Sequence, residues 1–131
     1  METYRRIEGL TDFIAAKYRI AAEIGIGHFP DAACALLKKG LKVFATDILP
    51  VHHAGIRIVI DDVTSPDTAL YNDIDLIYSL RPPPELVPYM KILAEVIPAD
   101  LIIKPLSSEY PEGFRLMRNG SMPFFVWRCE K

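Results

Sequence analysis

Apolar residues near the start of the chain recur at helical spacing. Over residues 3–18 they stand three or four positions apart: Ile7, Leu10, Ile14 and Tyr18. This stripe predicts an amphipathic helix. A similar stripe predicts another helix over residues 85–97, where Pro88 indicates that the helix begins late or bends.

The segment 30–39 carries start and stop signals for a helix. Pro30 suits the first helical position and Asp31 the positive N-terminus. Basic residues fill the last turn, and Gly40 suits a left-handed C-terminal cap. We therefore predict a short helix with defined ends.

Short apolar runs without clean alternation separate these helices: residues 19–25, 42–48, 57–63, 74–80 and 100–106. Such runs are typical of parallel strands that are buried on both faces. At the end of the chain, segments 114–118 and 122–128 flank Asn119-Gly120, a dipeptide that favours a two-residue hairpin turn. The sequence thus predicts a hairpin of antiparallel strands after the parallel ones.

The order of elements predicts an α/β fold, a single Rossmann-like domain over residues 1–131 with a mostly parallel sheet and a reduced set of helices. Ligands of such sheets bind at the carboxyl ends of the strands. The connections 49–56 and 64–73 are too short for crossover helices, which need about a dozen residues with their loops. One face of the sheet is then under-covered, which leads us to expect a homodimer or another protein partner.

Composition excludes several other classes of protein. Hydrophobic residues make up 50% of the 131 positions, which suits a folded domain, but no apolar run approaches the length of a membrane span. We see no secretory signal, and therefore expect a cytoplasmic protein without membrane contact. A formal charge of −2 does not indicate nucleic-acid binding. Cys34 and Cys129 are too far apart for a cysteine zinc motif and are expected in the core.

A glycine-containing turn at the end of the first predicted strand is the principal site candidate. Gly25 and Gly27 allow a sharp turn and a close approach of a ligand to bare amides. Asp47 ends the second strand 20 residues after Gly27, where a carboxylate can accept the hydroxyl groups of a ribose. We therefore predict a nucleoside-cofactor site, with a structural turn and a solvated aspartate as the alternative.

These residues resemble the first motif of the class I S-adenosylmethionine-dependent methyltransferases, an acidic residue followed by glycine, any residue and glycine. The resemblance implies that Glu23 organises the loop or the methionine amine, that Gly25 and Gly27 border the methionyl group, and that Asp47 holds the ribose. It also implies an adenine-side role for Asp62, with Asp61 the less favoured choice. The third glycine of that motif is replaced by Phe29.

Other segments resemble more closely a family of small, uncharacterised archaeal proteins with a Rossmann-like domain. They are EIGIG, ATD, IDDVT, DLIYSLRPPPEL and FFVWR. That family implies the same fold and no established activity.

A second candidate region follows the fourth strand. Arg81, set before three prolines, can point towards a carboxylate or phosphate, or can be a surface residue ahead of a helix. If methyl transfer occurs, we expect the acceptor near Ser79, Arg81 and Lys104. His28 lies in the glycine turn, whereas adjacent His52 and His53 should point apart, so no metal site is predicted.

Three functions remain open. The first is a domain that binds S-adenosylmethionine or its demethylated product and catalyses methyl transfer. The second is a non-catalytic nucleotide-binding or protein-interaction module. The third is an NAD-binding protein, which shares the glycines and Asp47 but leaves Glu23 and the terminal hairpin unexplained.

Overall fold

The structure, a computed structural model, describes residues 2–105, 112–120 and 122–129. Within these ranges, seven strands form one sheet in the order β3-β2-β1-β4-β5-β7-β6. Their bounds are β1 Ile20–Ile24, β2 Lys42–Asp47, β3 Arg57–Ile60, β4 Leu76–Leu80, β5 Asp100–Lys104, β6 Arg115–Asn119 and β7 Met122–Trp127. The mixed sheet with a terminal antiparallel pair confirms the predicted α/β class.

The first five strands are parallel. The central strands β1, β4 and β5 have an apolar layer on each face, as expected for parallel strands, whereas the edge strand β3 is only partly covered and its Ile60 is 62% exposed. Ala21 and Ala22 of β1 are both fully buried, yet they belong to separate apolar clusters on opposite sides of the sheet. Strand β7 runs antiparallel to β5, and β6 antiparallel to β7. The switch between β1 and β4 places the carboxyl ends of these central strands at the candidate site.

Three α-helices cover the sheet in the described part of the chain: α1 Glu2–Lys17, α2 Asp31–Lys38 and α3 Val87–Val96. Helices α1 and α2 pack on one face, around Leu10 and Leu36. Helix α3 packs on the other through Met90 and Leu93. It begins after a 3-10 turn, Pro84–Leu86, as the proline pattern predicted.

The stop signal of α2 is also confirmed. Gly40 adopts φ +95°, and its amide donates to the carbonyl of Leu37 at 3.0 Å. The amide of Leu41 returns to the carbonyl of Leu36 at 3.1 Å. This pattern closes the helix around a left-handed glycine. Pro30 is the residue before the helix rather than its first residue.

The two short connections do lack crossover helices. Residues 48–56, all of them described, contain no helix or strand, and residues 61–75 contain only the 3-10 turn Thr68–Tyr71. A groove of about 240 Å³ opens between this turn and the segment Val96, Ile97 and Pro98. In the described part of the chain, α3 is therefore the single α-helix on its face.

Several predicted boundaries need correction. Strand β3 ends at Ile60, so Asp61 and Asp62 follow the strand instead of belonging to it. Asn119 lies in β6 and pairs with Met122, so it belongs to the strand and not to the turn. The last residue of the predicted segment 100–106 lies outside the described residues.

The terminal hairpin supplies aromatic residues to the core. Phe124 and Phe125 are buried and Trp127 packs partly against the α3 layer, as the sequence predicted for these side chains. Cys34 and Cys129 are both half-buried, and Cys34 packs against a core cluster with Ala33 and Ala45, so the expectation that both lie in the core is confirmed only in part. No helix in the described ranges has the length and apolar character required to cross a membrane.

Candidate functional site

The turn between β1 and α2 forms the centre of the candidate site. Gly25 and Gly27 adopt φ +74° and +54°, a left-handed backbone that glycine accepts without steric cost. A Cβ atom added at either position would meet no atom within 4 Å. The backbone conformation, rather than crowding, therefore requires glycine, and the side-chain directions of both residues face open space.

The amides of this turn are bound to the end of β2. Gly25 N donates to the Thr46 carbonyl at 2.9 Å, and Ile26 N donates to the same oxygen at 3.4 Å. Gly27 N donates to Oδ2 of Asp47 at 2.8 Å. The expectation that these amides are bare is thus wrong, because all three are satisfied within the protein. A ligand here would contact the exposed glycine backbone and the Asp47 carboxylate.

Asp47 joins the end of β2 to the glycine turn. Its Oδ1 accepts the amide of Leu49 at 3.0 Å, while Oδ2 accepts the amide of Gly27. A carboxylate offers about four lone-pair positions, so two stay available for hydroxyl groups. The half-buried side chain is thereby held in one orientation at the carboxyl end of its strand.

Sequence reasoning missed a second contact to the same glycine. Nε2 of His53 lies 2.7 Å from the carbonyl oxygen of Gly27. The histidine belongs to the connection between β2 and β3, 26 residues from its partner. Only the observation that β2 lies next to β1 could have suggested this contact. The neighbouring His52 and the loop residue His28 are exposed.

Glu23, at the carboxyl end of β1, is 1% exposed. It lies beside Tyr78 of β4 in the sheet, and the Tyr78 hydroxyl donates to Oε1 of Glu23 at 2.8 Å. Burial in an apolar layer raises the pKa of Glu23 to about 8, a change that the Tyr78 hydrogen bond opposes. The site therefore contains an acid that is protonated at neutral pH.

The two aspartates after β3 differ in their surroundings. Asp61 accepts the hydroxyl of buried Tyr71 at 2.9 Å and the amide of Asp67 at 3.0 Å. Asp62 is exposed and accepts the amide and hydroxyl of Thr64 through Oδ1, at 2.9 and 2.8 Å. These bonds lower the pKa of Asp62. Asp61 thus holds the connection to the core, while Asp62 faces solvent.

The predicted acceptor residues lie at the ends of β4 and β5. Ser79 is 2% exposed, and its hydroxyl donates to the Ile24 carbonyl at 2.8 Å, so it ties β4 to β1. Arg81 is exposed, and its amide donates to the Lys104 carbonyl at 2.7 Å. The structure therefore brings Arg81 and Lys104 together but engages Ser79 within the sheet.

Phe29 occupies the place of the third motif glycine. Its side chain packs against the apolar cluster that lies under α1 and α2. The aromatic ring is thus directed to the core layer on that face of the sheet. Within the ranges that the structure describes, no group of three or more His, Cys, Asp or Glu side chains could hold a metal ion.

The arrangement resembles that of known methyltransferase folds. The chain aligns with yhhF of Escherichia coli, provisionally described as a methyltransferase, with a TM-score of 0.66 over 96% of this chain and 84% of that one, at 11% identity. It aligns with magnesium protoporphyrin IX methyltransferase from Synechocystis PCC 6803, which has bound SAM, with a TM-score of 0.61 over 95% and 77% of the two chains, at 14% identity. At these identities the likeness establishes a Rossmann-like methyltransferase fold alone.

Sequence comparison identifies nearer relatives. The UPF0146 protein of Archaeoglobus fulgidus is 40% identical over 123 residues, which cover 92% of this chain and 94% of the relative. A family model described as "Uncharacterised protein family (UPF0146)" matches residues 8–128. This confirms the resemblance to a small archaeal Rossmann-like family, and the chain belongs to the UPF0146 family.

Proposed function

We propose that this protein binds S-adenosylmethionine or its demethylated product, S-adenosylhomocysteine, at the carboxyl ends of β1 and β2. The proposal depends on the hydrogen bond between the Gly27 amide and the Asp47 carboxylate. The 2.8 Å bond between them fixes a carboxylate beside a glycine turn whose side-chain directions are open. An adenosine needs this combination of a hydroxyl acceptor and an unobstructed backbone.

Each part of the cofactor has candidate residues in this arrangement. Asp47 would accept the ribose hydroxyls through its two remaining lone-pair positions. Gly25 and Gly27 would border the methionyl group, and exposed Asp62 would lie on the adenine side. Glu23, which accepts the hydrogen bond of Tyr78, would organise the turn that follows β1. The cofactor, when bound, supplies an electrophilic methyl group on a sulfonium.

Methyl transfer to an anionic acceptor is a further step of the proposal, supported by one observation. Arg81 stands exposed at the carboxyl end of β4, next to the strand that leads into the glycine turn. Its guanidinium is suited to pair with a carboxylate or phosphate. Positioning of that acceptor would then be the contribution of the protein to the reaction. The rival is a binding module without catalysis.

Calorimetric titration with S-adenosylmethionine, S-adenosylhomocysteine and NAD tests the proposal. We expect binding of the first two and none of NAD. Preference for NAD would replace the proposed ligand, and absence of binding to all three would favour an interaction module. Glu95→Ala is a suitable control, because it removes an exposed carboxylate from α3, on a surface away from the glycine turn.

A further inference from the structure

We propose that His53 is a positioning residue of the nucleoside site, which holds the Gly25–Gly27 turn in its binding conformation without touching the ligand. This inference deepens the proposed function and rests on it. Nε2 of His53 lies 2.7 Å from the Gly27 carbonyl oxygen, within the range of a direct hydrogen bond.

The chemistry of the contact shows which nitrogen of the His53 ring carries a hydrogen. A carbonyl oxygen can only accept, so Nε2 of His53 must carry the hydrogen. The neutral tautomer protonated at Nε2 and the imidazolium both satisfy this requirement. The holding role therefore does not depend on the charge of the ring.

Gly27 is held on both of its backbone polar groups. Asp47 accepts its N–H at 2.8 Å and His53 donates to its C=O at 2.7 Å. Asp47 is the last residue of β2, and His53 lies in the connection that follows it, which contains no crossover helix. Glycine has wide conformational freedom, so a residue at φ +54° needs such external anchors to stay in one conformation. The short connection supplies the second anchor.

His53 then acts on the ligand through Gly27 and Asp47. When the Gly27 carbonyl is released, the adjoining peptide can rotate, and the amide that orients Asp47 loses its alignment. The carboxylate would have to be reordered at each binding event, which weakens affinity even though no ligand contact is removed. The neighbouring side chain of His52 is exposed, which makes it a matched histidine for comparison.

Three variants test the inference: His53→Ala, His53→Gln and His52→Ala. The amide nitrogen of glutamine reaches about as far from the backbone as Nε2, so His53→Gln retains a donor to Gly27. Two quantities are measured for each variant. One is the hydrogen-exchange rate of the Gly25, Ile26 and Gly27 amides in the ligand-free protein, and the other is the affinity for S-adenosylhomocysteine.

We expect His53→Ala to accelerate exchange at the Gly27 amide and to weaken binding about three- to tenfold, the range of one net hydrogen bond. His53→Gln should restore most of both properties, and His52→Ala should match the native protein. Failure of glutamine to rescue, or unchanged exchange in His53→Ala, would overturn the inference. If the native protein binds no S-adenosylhomocysteine while exchange responds as expected, the holding role stands and the proposed cofactor is wrong.

Discussion

The Tyr78 hydroxyl donates a 2.8 Å hydrogen bond to Oε1 of Glu23, and both side chains are buried in the layer covered by α1 and α2. This bond links β1 to β4 near their carboxyl ends, beside the candidate site. Burial raises the pKa of Glu23 from 4.5 to about 8, so the folded state binds a proton that the unfolded chain releases.

The first prediction concerns pH and stability. The contribution of protonated Glu23 is fully present below the unfolded pKa of 4.5 and is lost as pH rises through the folded value of about 8. Glu23→Gln stays neutral, so its free energy of unfolding relative to the native protein should rise between pH 5 and 8 by on the order of a few kcal/mol. Urea unfolding at several pH values measures this. A difference that is constant with pH, or one matched by exposed Glu95→Gln, would contradict the assignment.

The second prediction separates the structural and binding roles of Asp47. Asp47→Ala removes the acceptor of both Gly27 N and Leu49 N, so we expect a loss of about 1 kcal/mol in unfolding free energy as well as loss of cofactor binding. Asp47→Asn keeps one acceptor oxygen for the turn but loses the charge. Its stability should lie nearer the native value, while calorimetry should find cofactor affinity reduced at least about tenfold. Native affinity in Asp47→Asn would refute the ribose assignment.

The third prediction uses the backbone of Arg81. This residue adopts φ +55°, which is strained for any residue with a Cβ atom. Arg81→Gly should therefore be more stable than Arg81→Ala by about 1 kcal/mol, although glycine usually lowers stability. Chemical denaturation measures the difference in unfolding free energy between the two variants. Because both variants lack the guanidinium, its loss does not contribute to this difference. Equal stabilities would show that the strain is relieved by its surroundings.

The fourth prediction identifies the surface through which the expected homodimer would form. Tyr89, Ile92 and Val96 of α3 are 42%, 58% and 60% exposed and lie along one side of the helix. We expect the native protein to be a dimer through this surface, and Ile92→Glu to be a monomer. Leu116→Glu, an equivalent change on β6, should leave the dimer intact. Light scattering over a dilution series decides, and a native monomer at all concentrations would refute the expectation.

The fold was predictable from sequence where its signals are local. The central parallel strands have buried apolar runs, α2 has Asp31 at its start and Gly40 after its end, and Asp47 does end β2. These features follow from periodicity, capping and chain spacing alone. The same local signals were sufficient to predict the short connections that lack crossover helices.

The sequence was less informative about contacts between distant segments. The sequence assigned Asn119 to the hairpin turn, but this residue joins β6, where its side chain donates to the Gly9 carbonyl at 2.8 Å, 110 residues away. The internal bonding of the glycine turn and the His53 contact also depend on β2 lying beside β1. No pattern within either segment contains that information.

The contact of α1 with the terminal hairpin has a consequence for synthesis. The Phe13 and Phe124 rings lie 4.9 Å apart between centroids, and α1 packs on both β6 and β7. Helix α1 therefore completes its burial only after β7 has been translated. Until then part of its apolar face stays open to chaperones, and a ribosome stalled before residue 122 should carry a nascent chain with that helix still undocked from the hairpin.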